Sequence, residues 1–191
     1  MKYTLRFDTP DGWTETVLND FDCFLLDHAT CEKKASGMAM SMVSHYPDRP
    51  EIVAQMVDLA IEELHHFREV VKLITERGQR LGADLKDPYV NAFRKSFRSE
   101  ANEYLLDRLL IGSIIEARGH ERFGLIAKAL PKGKLQQFYQ GITLSEGRHL
   151  DLFVNLALLY FSQQEVDQRL DQLLDVEAGI ISELPFRAAL H

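Results

Sequence analysis

Residues 61–67 read Ile61-Glu62-Glu63-Leu64-His65-His66-Phe67, and the fold follows from how that stretch is turned. Around it Met56, Leu59, Ala60, Phe67, Val70, Val71 and Ile74 recur at three and four residues, the period of an amphipathic helix. Glu63 and His66 fall on this apolar stripe. Residues three apart are neighbours on one helix face, so a carboxylate and an imidazole at that spacing can grip a single metal ion. The overlapping pair Glu62 and His65 has the same spacing but is flanked by Asp58 and Glu69, which belong to a solvated face.

The device recurs further along. Glu146 and His149 are again three apart, and Ile142, Leu150, Phe153, Val154 and Ala157 continue their stripe. Each pair has a lone carboxylate upstream: Glu32, 31 residues before Glu63, follows Leu18, Phe21, Leu25 and Ala29, and Glu116, 30 residues before Glu146, follows Leu109 and Gly112. On antiparallel helices these near-equal offsets bring all six groups to one level. Four buried carboxylates would repel one another and lose their hydration, whereas two divalent cations would neutralise them. Hard oxygen with borderline nitrogen ligands is what helical bundles use for paired iron or manganese. Iron is the expected metal, with Glu32 and His66 on one ion, Glu116 and His149 on the other, and Glu63 and Glu146 as bridges. His28 and His120 lie one turn from Glu32 and Glu116 and are expected to support the ligands rather than join them.

Working outward, proline and glycine are sparse and the 3.6-residue period persists between them. Long helices are expected from about Thr14 to His45, stopped by Pro47; from Pro50 to Leu81-Gly82; from Ser99, with Ser99 and Asn102 as rival caps, to about Leu130; and from the Pro131/Gly133 turn to about Ser162. A last amphipathic segment, 164–184, carries Val166, Leu170, Leu173, Leu174 and Ile180. The expected architecture is all-α: an antiparallel four-helix bundle over about 14–162 plus a C-terminal helix, in a single domain of residues 1–191.

Composition sets outer limits. The 191 residues, 46% apolar, suffice for one buried core, and 22 Lys+Arg against 29 Asp+Glu give a net charge of −7. That balance excludes a chain that is basic all over. Apolar runs such as 109–115 fall far short of the roughly 18 residues of a membrane span. The first residues, Met1-Lys2-Tyr3-Thr4-Leu5-Arg6, lack the apolar run of a secretory signal, so a cytoplasmic location is expected. The two cysteines, Cys23 and Cys31, form no CxxC knuckle and are expected to be reduced core thiols.

The pattern Glu, Glu-x-x-His, Glu, Glu-x-x-His resembles the ferritin-like di-iron family. More narrowly, Cys31-Glu32-Lys33-Lys34-Ala35, Glu62-Glu63-Leu64-His65-His66-Phe67, Ile115-Glu116-Ala117-Arg118 with Glu121-Arg122-Phe123, and Ser145-Glu146-Gly147-Arg148-His149 resemble the tRNA 2-methylthio-N6-isopentenyladenosine hydroxylases. His120 departs from that branch, where a small residue or cysteine is expected. The resemblance implies a monooxygenase with two iron ions, O2 as co-substrate and electrons from an external reductase, which hydroxylates the isopentenyl group of the modified adenosine beside the tRNA anticodon. A saturated methyl carbon resists acid and base chemistry, so activated dioxygen is required. No flavin or nicotinamide fingerprint is present. Phe67, Leu144 and Phe153 are expected to line the prenyl pocket.

A tRNA partner must be reconciled with the acidic total. Residues 118–134 hold five basic residues and one acid, residues 86–98 four and one, and residues 162–191 two arginines and six acids. Arg94, Lys95, Arg98, Lys128, Lys132 and Lys134 are therefore the expected phosphate contacts. The alternative is a ferritin-like oxidase, peroxidase or iron-handling protein without an RNA substrate. Iron storage would need a large hollow assembly, against the monomer or dimer expected of a hydroxylase.

Overall fold

In the computed structural model, which describes residues 3–191, Pro50 opens a long helix because its fixed φ suits a first helical turn and its missing N–H would be unsatisfied there anyway. That helix, α3 (Pro50–Glu76), ends at Gly78, whose φ of +75° needs a residue without Cβ. Gly78 N–H reaches the Thr75 carbonyl and Gln79 N–H the Ile74 carbonyl, the paired bonds of a Schellman stop. The glycine exit thus comes four residues before the expected Gly82.

The remaining helices are α1 (Asp11–Asn19), α2 (Phe21–His45), α4 (Pro88–Phe93), α5 (Ala101–Ala129), α6 (Lys134–Tyr160) and α7 (Gln163–Glu183), with a 3-10 turn at Arg94–Ser96. All regular structure among the described residues is helical. The first expected helix is broken at Asp20, whose carboxylate accepts the Cys23 N–H and restarts the chain as α2. Leu18 is left in α1 and exposed. Neither Ser99 nor Asn102 caps α5; Glu100 holds that position without a side-chain bond. Ser162 does cap α7, forming a reciprocal capping box with Glu165.

The chain divides into two compact units. Unit 2 comprises Glu15–Lys86 and Arg187–Leu190, and its core is the α2/α3 hairpin, packed through Phe24, Leu25, Ala29, Met42, Ile52, Met56, Leu59 and Ile74. Ser36 Oγ donates to the Ala60 carbonyl across this pair (2.9 Å). Cys31 is half-buried and Cys23 exposed, so Cys23 is not a core thiol; the two are not joined in a disulfide.

Unit 1 comprises Met1–Thr14, Asp87–Phe186 and His191. Its α5/α6 hairpin closes tightly at Gly112, where a Cβ would stand 3.1 Å from the Phe153 ring. Two buried polar clusters tie α7 to it. Asp107, fully buried, accepts from Arg98 and Arg169, and Arg169 also donates to the Ser96 carbonyl. Arg118, also fully buried, faces Glu177 and Glu121 and donates to the Phe7 carbonyl (2.8 Å) and the Thr9 hydroxyl (3.1 Å). The segment before α1 is thereby strapped across the unit. Tyr3 Oη lies 2.7 Å from Ser113 Oγ, and Arg6 pairs with Asp171 and Asp175.

Candidate metal centre

On α2 and α3 the apolar stripes carry Glu32, Glu63 and His66 into the interior; Glu32 and Glu63 are almost wholly buried. One ligand atom from each lies within 4.8 Å of the others. His66 Nδ1 stands 3.5 Å from Glu32 Oε2 and 3.5 Å from Glu63 Oε2. The other Glu32 oxygen, Oε1, accepts from His28 Nε2 at 2.6 Å, and His28 is fully buried.

The α5/α6 hairpin repeats this composition. Glu116, Glu146 and His149 are all buried and also offer ligand atoms within 4.8 Å of one another, with His149 Nδ1 3.7 Å from Glu116 Oε2. Gly119 makes room for Glu146, since a Cβ there would lie 3.1 Å from Oε2. Each unit therefore presents a triad of two carboxylates and one imidazole, drawn from the six residues the spacing singles out.

The electrostatics of the first triad show what it lacks. Burial disfavours an imidazolium at His66, but Glu32 and Glu63 outweigh burial and raise it to about 10. Burial likewise pushes the Glu32 carboxyl up, yet its bonds with Glu63, His28 and His66 outweigh that and hold it below the ordinary carboxylate range. A proton on His66 thus does the work of a cation among buried carboxylates. A divalent ion meets the same need more fully while accepting oxygen and nitrogen donors. The donor set fits metal binding.

The accessory residues divide. His28 bonds to the buried Glu32 carboxylate. His120 instead donates from Nδ1 to the Thr143 carbonyl (2.7 Å) and lies against Gly147, where a Cβ would be 3.1 Å away. Phe153 is fully buried against Gly112, Phe67 is half-buried and Leu144 is 67% exposed. Sequence reasoning placed Gly112 on the stripe of Glu116 but missed Gly119, whose only signal was its position three residues beyond Glu116 on the same face.

The basic residues also divide. Arg98 is committed to Asp107 and Glu103, and Arg118 and Arg122 are buried, Arg122 lying 4.6 Å over the Trp13 ring. Arg94, Lys95, Lys128, Lys132 and Lys134 lie at the surface. The first two precede α5 and the last three surround its far end, roughly 40 Å apart at 1.5 Å per residue. Among the described residues no helix is long and apolar enough to cross a membrane.

An all-helical chain carrying Glu and Glu-x-x-His on each of two hairpins is a ferritin-like metal-binding protein. A solved structure described as "Protein 43 with aldehyde deformylating oxygenase activity", from Synechococcus, matches 100% of this chain and 96% of its own with a TM-score of 0.94 at 30% identity. The family model described as tRNA-(MS2IO6A)-hydroxylase (MiaE) matches residues 1–191. A tRNA 2-(methylsulfanyl)-N(6)-isopentenyladenosine(37) hydroxylase from Pseudomonas putida is 32% identical over 186 residues, 95% of this chain and 90% of that protein. One of the same description from Salmonella typhimurium is 32% identical over 155 residues, 81% of this chain and 56% of the relative. The chain belongs to the tRNA-(MS2IO6A)-hydroxylase family and is an enzyme of the oxygenase kind.

Proposed function

We propose that this protein hydroxylates the isopentenyl side chain of 2-methylthio-N6-isopentenyladenosine beside the tRNA anticodon, with O2 as co-substrate, and that the two triads together hold a pair of iron ions within a single domain. Glu32 and His66 would hold one ion and Glu116 and His149 the other, with Glu63 and Glu146 as the carboxylates shared between them. The observation that carries the reading is the duplicated buried triad, whose four carboxylates need two divalent charges. The 31- and 30-residue offsets are consistent with each lone carboxylate lying level with the pair on its own hairpin.

When bound, the iron pair supplies the dioxygen chemistry that an unactivated methyl C–H bond requires. The chain's residues orient the ligands: His28 fixes one Glu32 oxygen, Gly119 admits the Glu146 carboxylate, and apolar packing around both hairpins excludes water. Electrons come from a separate donor protein, since the sequence carries no flavin or nicotinamide motif. The exposed lysines 128, 132 and 134 supply phosphate contacts, and the enzyme acts in the cytoplasm as a monomer or dimer.

The deciding experiment digests tRNA from aerated cells with and without this gene and resolves the nucleosides. Loss of the hydroxylated nucleoside with accumulation of its unhydroxylated precursor is the expected result. An unchanged nucleoside profile would defeat the substrate assignment.

A further inference from the structure

The two hairpins repeat one device but not all of it. On α2 the residue four before the lone carboxylate Glu32 is His28, one turn away on the same face. Its Nε2 donates to Glu32 Oε1 at 2.6 Å, both side chains being buried, and Phe24 backs the imidazole with ring centroids 6.0 Å apart. Glu32 Oε2 remains on the side of His66 Nδ1, 3.5 Å away. On α5 the residue four before Glu116 is Gly112. It has no side chain to donate, and the Phe153 ring takes the space one would fill, 3.1 Å from where a Cβ would stand. A carboxylate tethered through one oxygen is already oriented and loses little freedom when the other oxygen ligates. A carboxylate without that tether must be ordered by the metal itself.

We propose that His28 is a positioning residue that makes the two metal positions unequal, so that the Glu32/His66 position fills first and tightly and the Glu116/His149 position fills second and more weakly. This rests on the two-metal reading above and adds a loading order to it. Partners behind a ligand typically change metal affinity 10- to 100-fold, which sets the expected separation of the two steps.

The test is a Co2+ titration of the full metal-free chain without oxygen, read by the visible absorption of the bound ion and by native mass spectrometry. The unaltered chain takes up two Co2+ in two steps at least 10-fold apart. His28→Leu weakens the first step 10- to 100-fold and leaves the second in place. His28→Gln, whose amide N–H can reach the same oxygen, restores most of the separation, which a purely space-filling role for His28 would not. His66→Ala removes the tight step and His149→Ala the weak one, and both assign the positions even if His28→Leu does not fold. Two equal affinities in the unaltered chain, a tight step that survives His28→Leu in a folded protein, or a tight step lost in His149→Ala would each overturn the proposal. Saturation at fewer than two Co2+ per chain would instead overturn the two-metal reading beneath it.

Discussion

Arg118 and Glu177 form a buried ion pair in which Nε lies 2.8 Å from Oε1 and Nη2 3.1 Å from Oε2, with neither side chain exposed. Tyr89 Oη adds a third bond to Glu177 at 3.2 Å, so the pair fastens α4, α5 and α7 together. Burial pushes the Glu177 carboxyl up, and Arg118 only partly offsets this. Removing one member leaves the other charged and unsolvated, which typically costs about 3–5 kcal/mol. Arg118→Leu should therefore lower the urea midpoint far more than a surface arginine replacement. Double-mutant analysis with Glu177→Leu should recover part of the loss.

Gly119 illustrates a residue whose substitution strikes the site before the fold. A Cβ there meets the far end of the Glu146 side chain, 3.1 Å from Oε2, which can swing away at little cost to packing. Gly119→Ala is expected to reduce bound metal per chain by half or more while the melting temperature of the metal-free protein stays nearly unchanged. Metal analysis beside a calorimetric scan makes the comparison.

Acid sensitivity should report on Asp87. Burial raises its carboxyl, but His191 Nδ1, 3.0 Å away, and the Val90 N–H outweigh burial and lower it to about 2 from an ordinary 3.8. A carboxyl lowered on folding stabilises above its unfolded value and loses that contribution as pH falls toward its folded value. The shift corresponds to about 2 kcal/mol at neutral pH. Asp87→Asn should be less stable than the unaltered chain by about that much at pH 7, and the gap should close between pH 4 and 2.

Metal removal tests the two-metal reading through stability alone. A ligand that binds only the folded chain adds about 2.7 kcal/mol at 100 times its dissociation constant. Dialysis against a chelator should lower the melting temperature, and Fe2+ or Co2+ should restore it. In Glu63→Ala the restoration should be largely lost, and in His149→Ala it should fall to the share that the Glu32/His66 position alone supplies; in both, hydroxylation should be absent and the helical circular dichroism retained.

For tRNA, the exposed lysines and the committed arginine should separate cleanly. Lys132→Ala should weaken tRNA binding similarly across tRNA sequences and reduce the salt dependence by about one counterion. Arg98→Ala should leave that slope unchanged and destabilise the fold, because Arg98 serves buried Asp107.

These cases show which features the sequence displays openly. The candidate ligand residues are readable because each pair sits three apart on an apolar stripe, a signal contained within one helix. Pro50 is local in the same way. The break at Asp20 is hidden because apolar residues at 18, 21 and 25 keep the helical period across it. Arg118 and Arg122 read as part of a basic surface, since their burial depends on Thr9, Trp13 and Glu177, distant in sequence. The glycine that stops α3 could not be chosen from sequence, because what marks Gly78 is its positive φ, a property of the folded backbone.

The strap from Tyr3 to Thr9 has a practical corollary for anyone handling this enzyme. Phe7 and Thr9 satisfy a guanidinium that would otherwise face its carboxylates incompletely bonded, so those first residues brace the buried cluster despite their irregular course. Trimming them to tidy a cloning boundary, or threading a bulky affinity handle through them, would loosen the wall behind Glu116. The other end asks for the same care, since His191 is buried with its ring stacked on Tyr89, and a handle at either terminus belongs beyond a flexible, cleavable spacer.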